Sequence, residues 1–232
     1  TMDNQTLYNY LTKFGIGTST LSGLPGEQSG IIRAVNKWAK SDGHSAAFGQ
    51  SYSVTAMQAT QIFNTIANDG IRVQPHVIAG QYNADGSYVP YISTAGIQEV
   101  RSKTATTIRN MLESVVSANG TAPAAAIPGY RVAGKTGTAT RFNDKCHCYK
   151  GYTASFVGMV PADHPQYVMS VVIQDPQGAF FGGSIAAPVF HQVMSFVLQS
   201  RHVPPSSGKP VYLPLNLKDL ANYKANTALI NS

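Results

Sequence analysis

Between residues 130 and 174 the chain carries three runs that suit β-strands, 130–139, 151–160 and 166–174, with no helical pattern between them. The connections "NDKCHCYKG" and "VPADHPQ" are too short for the crossover of about a dozen or more residues that parallel pairing requires. Consecutive strands joined this way pair antiparallel. "GGSIAAPVFHQVMSFVLQS" follows and reads as a helix from about residue 184. Pro188 falls in its early part, where a helix best tolerates proline.

Upstream the pattern is mainly helical. Residues 3–14 place Leu7, Tyr10, Leu11 and Phe14 at helical spacing, with Asp3 as N-cap and Gly15 and Gly17 as stops. "SVTAMQATQIFNTIANDG" predicts a helix capped by Ser53 and ended by Gly70, with Ala56, Ala59, Ile62, Phe63 and Ile66 on one apolar face. Strands are expected near 71–82 and 87–92 around the Asp85-Gly86 turn. A second long helix is expected over 98–118, with Ile108, Met111, Leu112, Val115 and Val116 as its stripe. Helices, then a run of antiparallel strands, then a helix indicate an α+β fold, an antiparallel sheet flanked by helices. Residues 1–200 are expected to form the domain. Residues 201–232, which open with the Pro- and Ser-rich "RHVPPSSGKP", are expected to be a poorly packed tail or a small appendage.

Several function classes are excluded. Charged residues are only 12% of the chain, about half the usual share, yet no segment approaches the 18 or so apolar residues of a membrane span. The chain is therefore expected to be soluble. "TMDNQTLYNY" lacks the basic and apolar regions of a signal peptide. The net charge of +6 is scattered singly, apart from a loose group in "RFNDKCHCYK", and no nucleic-acid-binding module is present. Gly-rich phosphate loops are absent, so no cofactor is expected. Cys146-His147-Cys148 has no second cysteine pair to complete a zinc site, so no metal is expected either. A Cys-x-Cys bridge closes a small ring, which favours two reduced thiols in a surface loop.

The chemistry-bearing stretch is "RVAGKTGTAT", residues 131–140. Lys-Thr-Gly is a component of serine acyl-transfer sites, where it works beside Ser-x-x-Lys and Ser-x-Asn motifs. Here Lys135 presents a charge and Thr136 and Thr138 present hydroxyls for a carboxylate. Gly137 allows close approach, and a backbone N–H could serve an oxyanion. The bland alternative is an exposed Lys-Thr turn. Chance alone produces about one Ser-x-x-Lys in a chain of this composition. The one present, Ser206-Ser207-Gly208-Lys209, is hemmed by Pro204, Pro205 and Pro210 and cannot be helical. Ser117-Ala118-Asn119 beside Gly120 reads as a helix stop. The six histidines form no defensible triad.

Five stretches, "LTKFGIGTSTLSGLPGEQSG", "FGQSYSVTAMQATQIFNTIANDG", "GYRVAGKTGTA", "YTASFVGMVPADHPQYVMSVVI" and "GGSIAAPVF", carry a wider likeness. In this order they resemble the C-terminal part of the transpeptidase domain of class B penicillin-binding proteins, most of all the cell-division subclass. The resemblance implies the penicillin-binding/serine β-lactamase-like fold. It implies an extracytoplasmic peptidoglycan D,D-transpeptidase that acylates a serine on the D-Ala-D-Ala of one stem peptide, then passes the acyl group to an amine on another. Stem peptides, β-lactams, the upstream part of the domain and divisome proteins are its implied partners, and a membrane anchor is expected upstream. Lys135 would set the electrostatics, Thr136 and Thr138 would hold the carboxylate, and the Thr138 N–H would complete the oxyanion hole. In the family, Ser-x-x-Lys and Ser-x-Asn precede "FGIGTSTLSGLPGE", so both are expected upstream of Thr1, and this chain alone is expected to be inactive. The alternatives are a serine β-lactamase or D,D-carboxypeptidase of the same fold, or a non-catalytic penicillin-sensing or divisome-binding module. The Cys146–Cys148 loop is expected to shape one rim of the cleft.

Overall fold

The computed structural model describes residues 2–143, 145–210 and 212. The chain divides into two compact units, residues 1–101 and 102–232.

In the first unit, α1 (Asn4–Lys13) starts at Asp3, whose carboxylate accepts from the Thr6 amide at 2.7 Å and the Thr6 hydroxyl at 3.0 Å. Strands β1 (Ile31–Ile32) and β2 (Tyr52–Ser53) pair antiparallel, with the 3-10 turn Val35–Lys37 and the short helix α2 (Asp42–Ala46) between them. Helix α3 (Ala56–Ala67) is capped by Thr55 in a reciprocal capping box with Gln58; Ser53, the cap expected from sequence, lies in β2.

The buried face of α3 also differs from expectation. Gln58, Gln61, Thr65 and Ile66 are buried, whereas Ala59, Ile62 and Phe63 are half-buried and Ala56 is exposed. The glycine-rich loop before β1 leaves carbonyls without ladder partners, and buried amides satisfy them. Gln58 Nε2 donates to the carbonyls of Gly15, Thr18 and Ser29 at 3.0, 2.8 and 2.7 Å, and Gln61 Nε2 to that of Val73 at 3.1 Å. In the same loop Glu27 takes hydrogen bonds from the hydroxyls and amides of Thr20 and Ser22, which hold its carboxyl down at about 2. The strand expected over 71–82 is two strands. Strand β3 (Ile71–Arg72) pairs with β6 (Ile97–Gln98), and β4 (Gly80–Tyr82) pairs with β5 (Tyr88–Pro90) across the Asp85-Gly86 turn.

The second unit opens with α4 (Ser102–Glu113) and the 3-10 turn Ser114–Val116. The inward positions of α4 are Ala105, Arg109 and Glu113, while Met111, expected on the buried stripe, is exposed. Glu113 is fully buried because it accepts from Arg131 Nη2 at 2.6 Å and Nε at 3.0 Å, a two-pronged bond that apolar periodicity cannot anticipate. Strands β7 (Ala133–Asn143), β8 (Cys148–Val160) and β9 (Tyr167–Gln174) form an antiparallel sheet in that order. Helix α5 (Gly182–Ser200) covers one face. Phe156 of β8 meets Phe190 of α5 edge-on at 5.0 Å, and Met194, Leu198, Val160, Val171, Val116 and Ile127 complete the core. Full burial of each large side chain contributes roughly 1.5–3 kcal/mol.

Three features of this unit depart from the sequence reading. The β7–β8 hairpin is longer than the sequence suggested: pairing shifts register between Thr140 and Phe142 and then continues to Asn143–Cys148. At its tip Cys146 and Cys148 are joined in a disulfide, not reduced. His147 adopts φ 48°, and the turn it makes brings the two Cα atoms to 5.2 Å, within disulfide reach. The beginning of the expected loose tail is also packed. Val203 is buried and its carbonyl accepts from the Tyr130 hydroxyl at 2.7 Å. Asp163 accepts from the Ser206 hydroxyl at 2.9 Å and the Ser207 amide at 3.0 Å. Burial raises the Asp163 carboxyl, but these bonds and the Arg131 charge outweigh it and hold the group below its ordinary value. Most of the tail, residues 213–232, lies outside the described residues.

Candidate active site

Among the described residues β7 forms an edge of its sheet, paired with β8 on one side only. Its register sets Lys135 opposite Val157, Thr136 opposite Phe156, Gly137 opposite Ser155 and Thr138 opposite Ala154. Strand alternation puts Lys135 and Gly137 on one face and Thr136 and Thr138 on the other. The threonine face is the one that α5 covers, since Phe156 packs on Phe190 from that side.

Lys135 is exposed, and its ammonium donates to the Thr136 carbonyl at 3.0 Å and leans on the Thr136 hydroxyl at 3.4 Å. The Thr136 hydroxyl lies 3.1 Å from that of Thr121. Gly137 sits over Ser155, where a Cβ would come within 2.4 Å of the serine oxygen. The Thr138 hydroxyl accepts from the Gly182 amide, the first N–H of α5, at 3.2 Å.

The Gly182-Gly183 pair makes this approach possible. A Cβ on Gly182 would lie 2.2 Å from the Ser155 carbonyl oxygen and 2.6 Å from that of Gly137, and one on Gly183 would lie 2.0 Å from that of Thr121. Only hydrogen atoms fit there, so the start of a 19-residue helix is pressed against the Lys-Thr-Gly strand. Its N-terminal partial positive charge and the Lys135 ammonium favour an anion near Thr136 and Thr138.

The competing motifs serve local structure instead. Ser206 and Ser207 are tied to Asp163 in a turn, so Ser206-Ser207-Gly208-Lys209 is not helical. Ser117 bonds back to the Ser114 carbonyl at 2.7 Å and accepts from the Gly120 amide at 2.9 Å, a chain reversal. His191 bonds the Ala126 carbonyl and His76 stacks on Tyr91. Among the described residues no three His, Cys, Asp or Glu side chains are grouped to hold a metal. Thr121 and Gly182 were missed as site residues. Thr121 sits in "NGTAPAAAIPG", which reads as a chain break, and its link to Thr136 spans 15 residues with no periodic signal. The paired glycines before the α5 apolar run were the available sign of a close backbone approach.

The penicillin binding protein transpeptidase domain family matches residues 1–195. The chain is 41% identical over 218 residues to penicillin-binding protein PbpB of Mycolicibacterium smegmatis, covering 89% of this chain and 34% of that protein. It is 31% identical over 214 residues to peptidoglycan D,D-transpeptidase FtsI of Escherichia coli K12, again covering 89% of this chain and 34% of the relative. The chain thus spans about a third of the length of these relatives. Among solved structures, penicillin binding protein 3 of Mycobacterium tuberculosis complexed with aztreonam superposes with a TM-score of 0.82 at 38% identity, covering 90% of this chain and 48% of that one. With its family match across most of its length and its fold shared with these structures, the chain belongs to the penicillin-binding protein transpeptidase-domain family.

Proposed function

We propose that these residues form the carboxylate-binding, oxyanion-stabilising wall of a peptidoglycan D,D-transpeptidase of the cell-division type. The observation that carries the reading is the convergence on β7: the Lys135 ammonium, the Thr136 and Thr138 hydroxyls and the N-terminus of α5 gather at one sheet edge. In this reading the terminal carboxylate of a D-Ala-D-Ala stem peptide, or that of a β-lactam, is gripped by Thr136 and Thr138. Lys135 supplies positive potential, and the Thr138 amide donates to the oxyanion. A serine hydroxyl attacks the carbonyl carbon, D-alanine leaves, and the acyl group passes to an amine of a second stem peptide. With a β-lactam the ring C–N bond opens and the acyl group stays on the serine.

No helical Ser-x-x-Lys is present among the described residues, so the nucleophile is assigned to sequence outside this chain. The implied setting is the outer face of the bacterial membrane, with divisome proteins as partners. The Cys146–Cys148 disulfide fits an oxidising compartment.

The test is labelling with a reporter penicillin. The full-length protein that carries this chain should label covalently. Lys135→Ala should slow labelling by roughly a hundredfold, the scale of losing one electrostatic contributor to an oxyanion site. The isolated 232 residues should not label. Covalent label on a serine of this chain, or unchanged labelling of Lys135→Ala, would overturn the reading.

A further inference from the structure

Thr121 lies outside the Lys-Thr-Gly stretch, on the segment between the 3-10 turn Ser114–Val116 and the start of β7, yet its hydroxyl meets that of Thr136 at 3.1 Å. Its backbone is fixed from both sides. The next amide, Ala122 N–H, donates to the Val115 carbonyl at 2.9 Å, and Ala122 is fully buried. On the other side Gly183 presses so close to the Thr121 carbonyl that no Cβ would fit. The Thr121 backbone is therefore held by the 3-10 turn Ser114–Val116 and by α5, independently of the strand its hydroxyl touches.

A hydroxyl has one proton to donate and two lone pairs to accept with. At Thr136 the Lys135 ammonium approaches one lone pair at 3.4 Å. If Thr121 donates to the other, both are filled, and the single proton of Thr136 is left to point at an incoming acceptor. The reverse polarity would consume that proton on Thr121 and leave Thr136 unable to donate to a carboxylate. The same logic governs Thr138, whose hydroxyl already accepts from the Gly182 amide and so keeps its proton for a ligand.

We propose that Thr121 is a positioning residue for the acyl-transfer site, which orients Thr136 as a hydrogen-bond donor to the substrate carboxylate. It acts through Thr136 and does not itself touch the substrate. The inference rests on the carboxylate-binding role of Thr136 proposed above.

The experiment compares acylation of the full-length protein by a penicillin bearing its free carboxylate with acylation by the methyl ester of the same compound. The readout is the ratio of the two rates, which a general loss of folding or packing does not change. Thr121→Val keeps the shape and removes the hydroxyl; it should lower the ratio roughly three- to tenfold, the scale of one hydrogen bond. Thr121→Ala, which adds no atoms, should lower it equally, and Thr121→Ser should restore it. An unchanged ratio in both variants, or failure of Thr121→Ser to restore it, would overturn the proposal. Lys135→Ala in parallel separates the two levels. If it slows acylation while the Thr121 variants keep the parent ratio, only the role of Thr121 falls. If it too has no effect, the reading of the site falls and takes Thr121 with it.

Discussion

Replacing Gly182 by alanine tests the contact on which the site geometry depends. The added Cβ would stand 2.2 Å from the Ser155 carbonyl oxygen and 2.6 Å from the Gly137 carbonyl oxygen. Carbon–oxygen contacts settle near 3.3 Å or beyond, so the start of α5 must retreat by about 1 Å. Both obstacles are backbone atoms of paired strands, which cannot swing aside as a side chain would. Two effects oppose each other. Alanine is the better helix former by up to about 1 kcal/mol, and less in a first turn. Overpacking a tight contact costs about 1–3 kcal/mol. The clash wins, and a net destabilisation of roughly 1–2 kcal/mol is expected. The retreat also stretches the Gly182 amide to Thr138 hydroxyl bond from 3.2 Å past hydrogen-bonding range. Thermal unfolding of the domain and penicillin acylation of the full-length protein would be measured together. Both should fall, and acylation should stay slow well below the unfolding temperature. A Gly182→Ala protein as stable as the parent and acylated at the same rate would refute the contact argument.

Two further outcomes concern stability. Glu113→Leu should cost about 1.5–3 kcal/mol in chemical denaturation, because the half-buried Arg131 guanidinium loses its two-pronged partner and keeps only the Asp163 charge, and adding Arg131→Leu should recover part of that loss. Glu27 has its carboxyl lowered from 4.5 to about 2, chiefly by the Thr20 hydroxyl, so its contribution is complete above pH 4.5 and is lost as pH falls towards 2. Melting curves from pH 7 to 3 should therefore show the gap between the parent and Glu27→Gln closing as acid is added; a constant gap would contradict the assignment.

The fold class and the strand bearing Lys135 were legible because both rest on local patterns: strand runs with short connections, and a tripeptide whose chemistry needs an exposed edge. What escaped were features set by partners distant in sequence. Thr55 outcompeted Ser53 as a cap because Gln58 stands three residues later to complete the box. Gln58 and Gln61 are buried for the sake of loop carbonyls, and Glu113 for the sake of Arg131, none of which alters apolar periodicity. Ring size alone does not decide the Cys146–Cys148 disulfide, because a left-handed His147 at the hairpin tip makes it feasible. Thr121 and Gly182 joined the candidate site only when α5 was folded back onto β7.

The most direct test is a crystal structure of the full-length protein acylated by a β-lactam that retains its carboxylate. The account predicts carboxylate oxygens within about 3.2 Å of both the Thr136 and Thr138 hydroxyls, and the acyl carbonyl oxygen within the same distance of the Thr138 amide. A carboxylate bound away from β7, with Thr136 and Thr138 facing only Thr121 and Gly182, would contradict it.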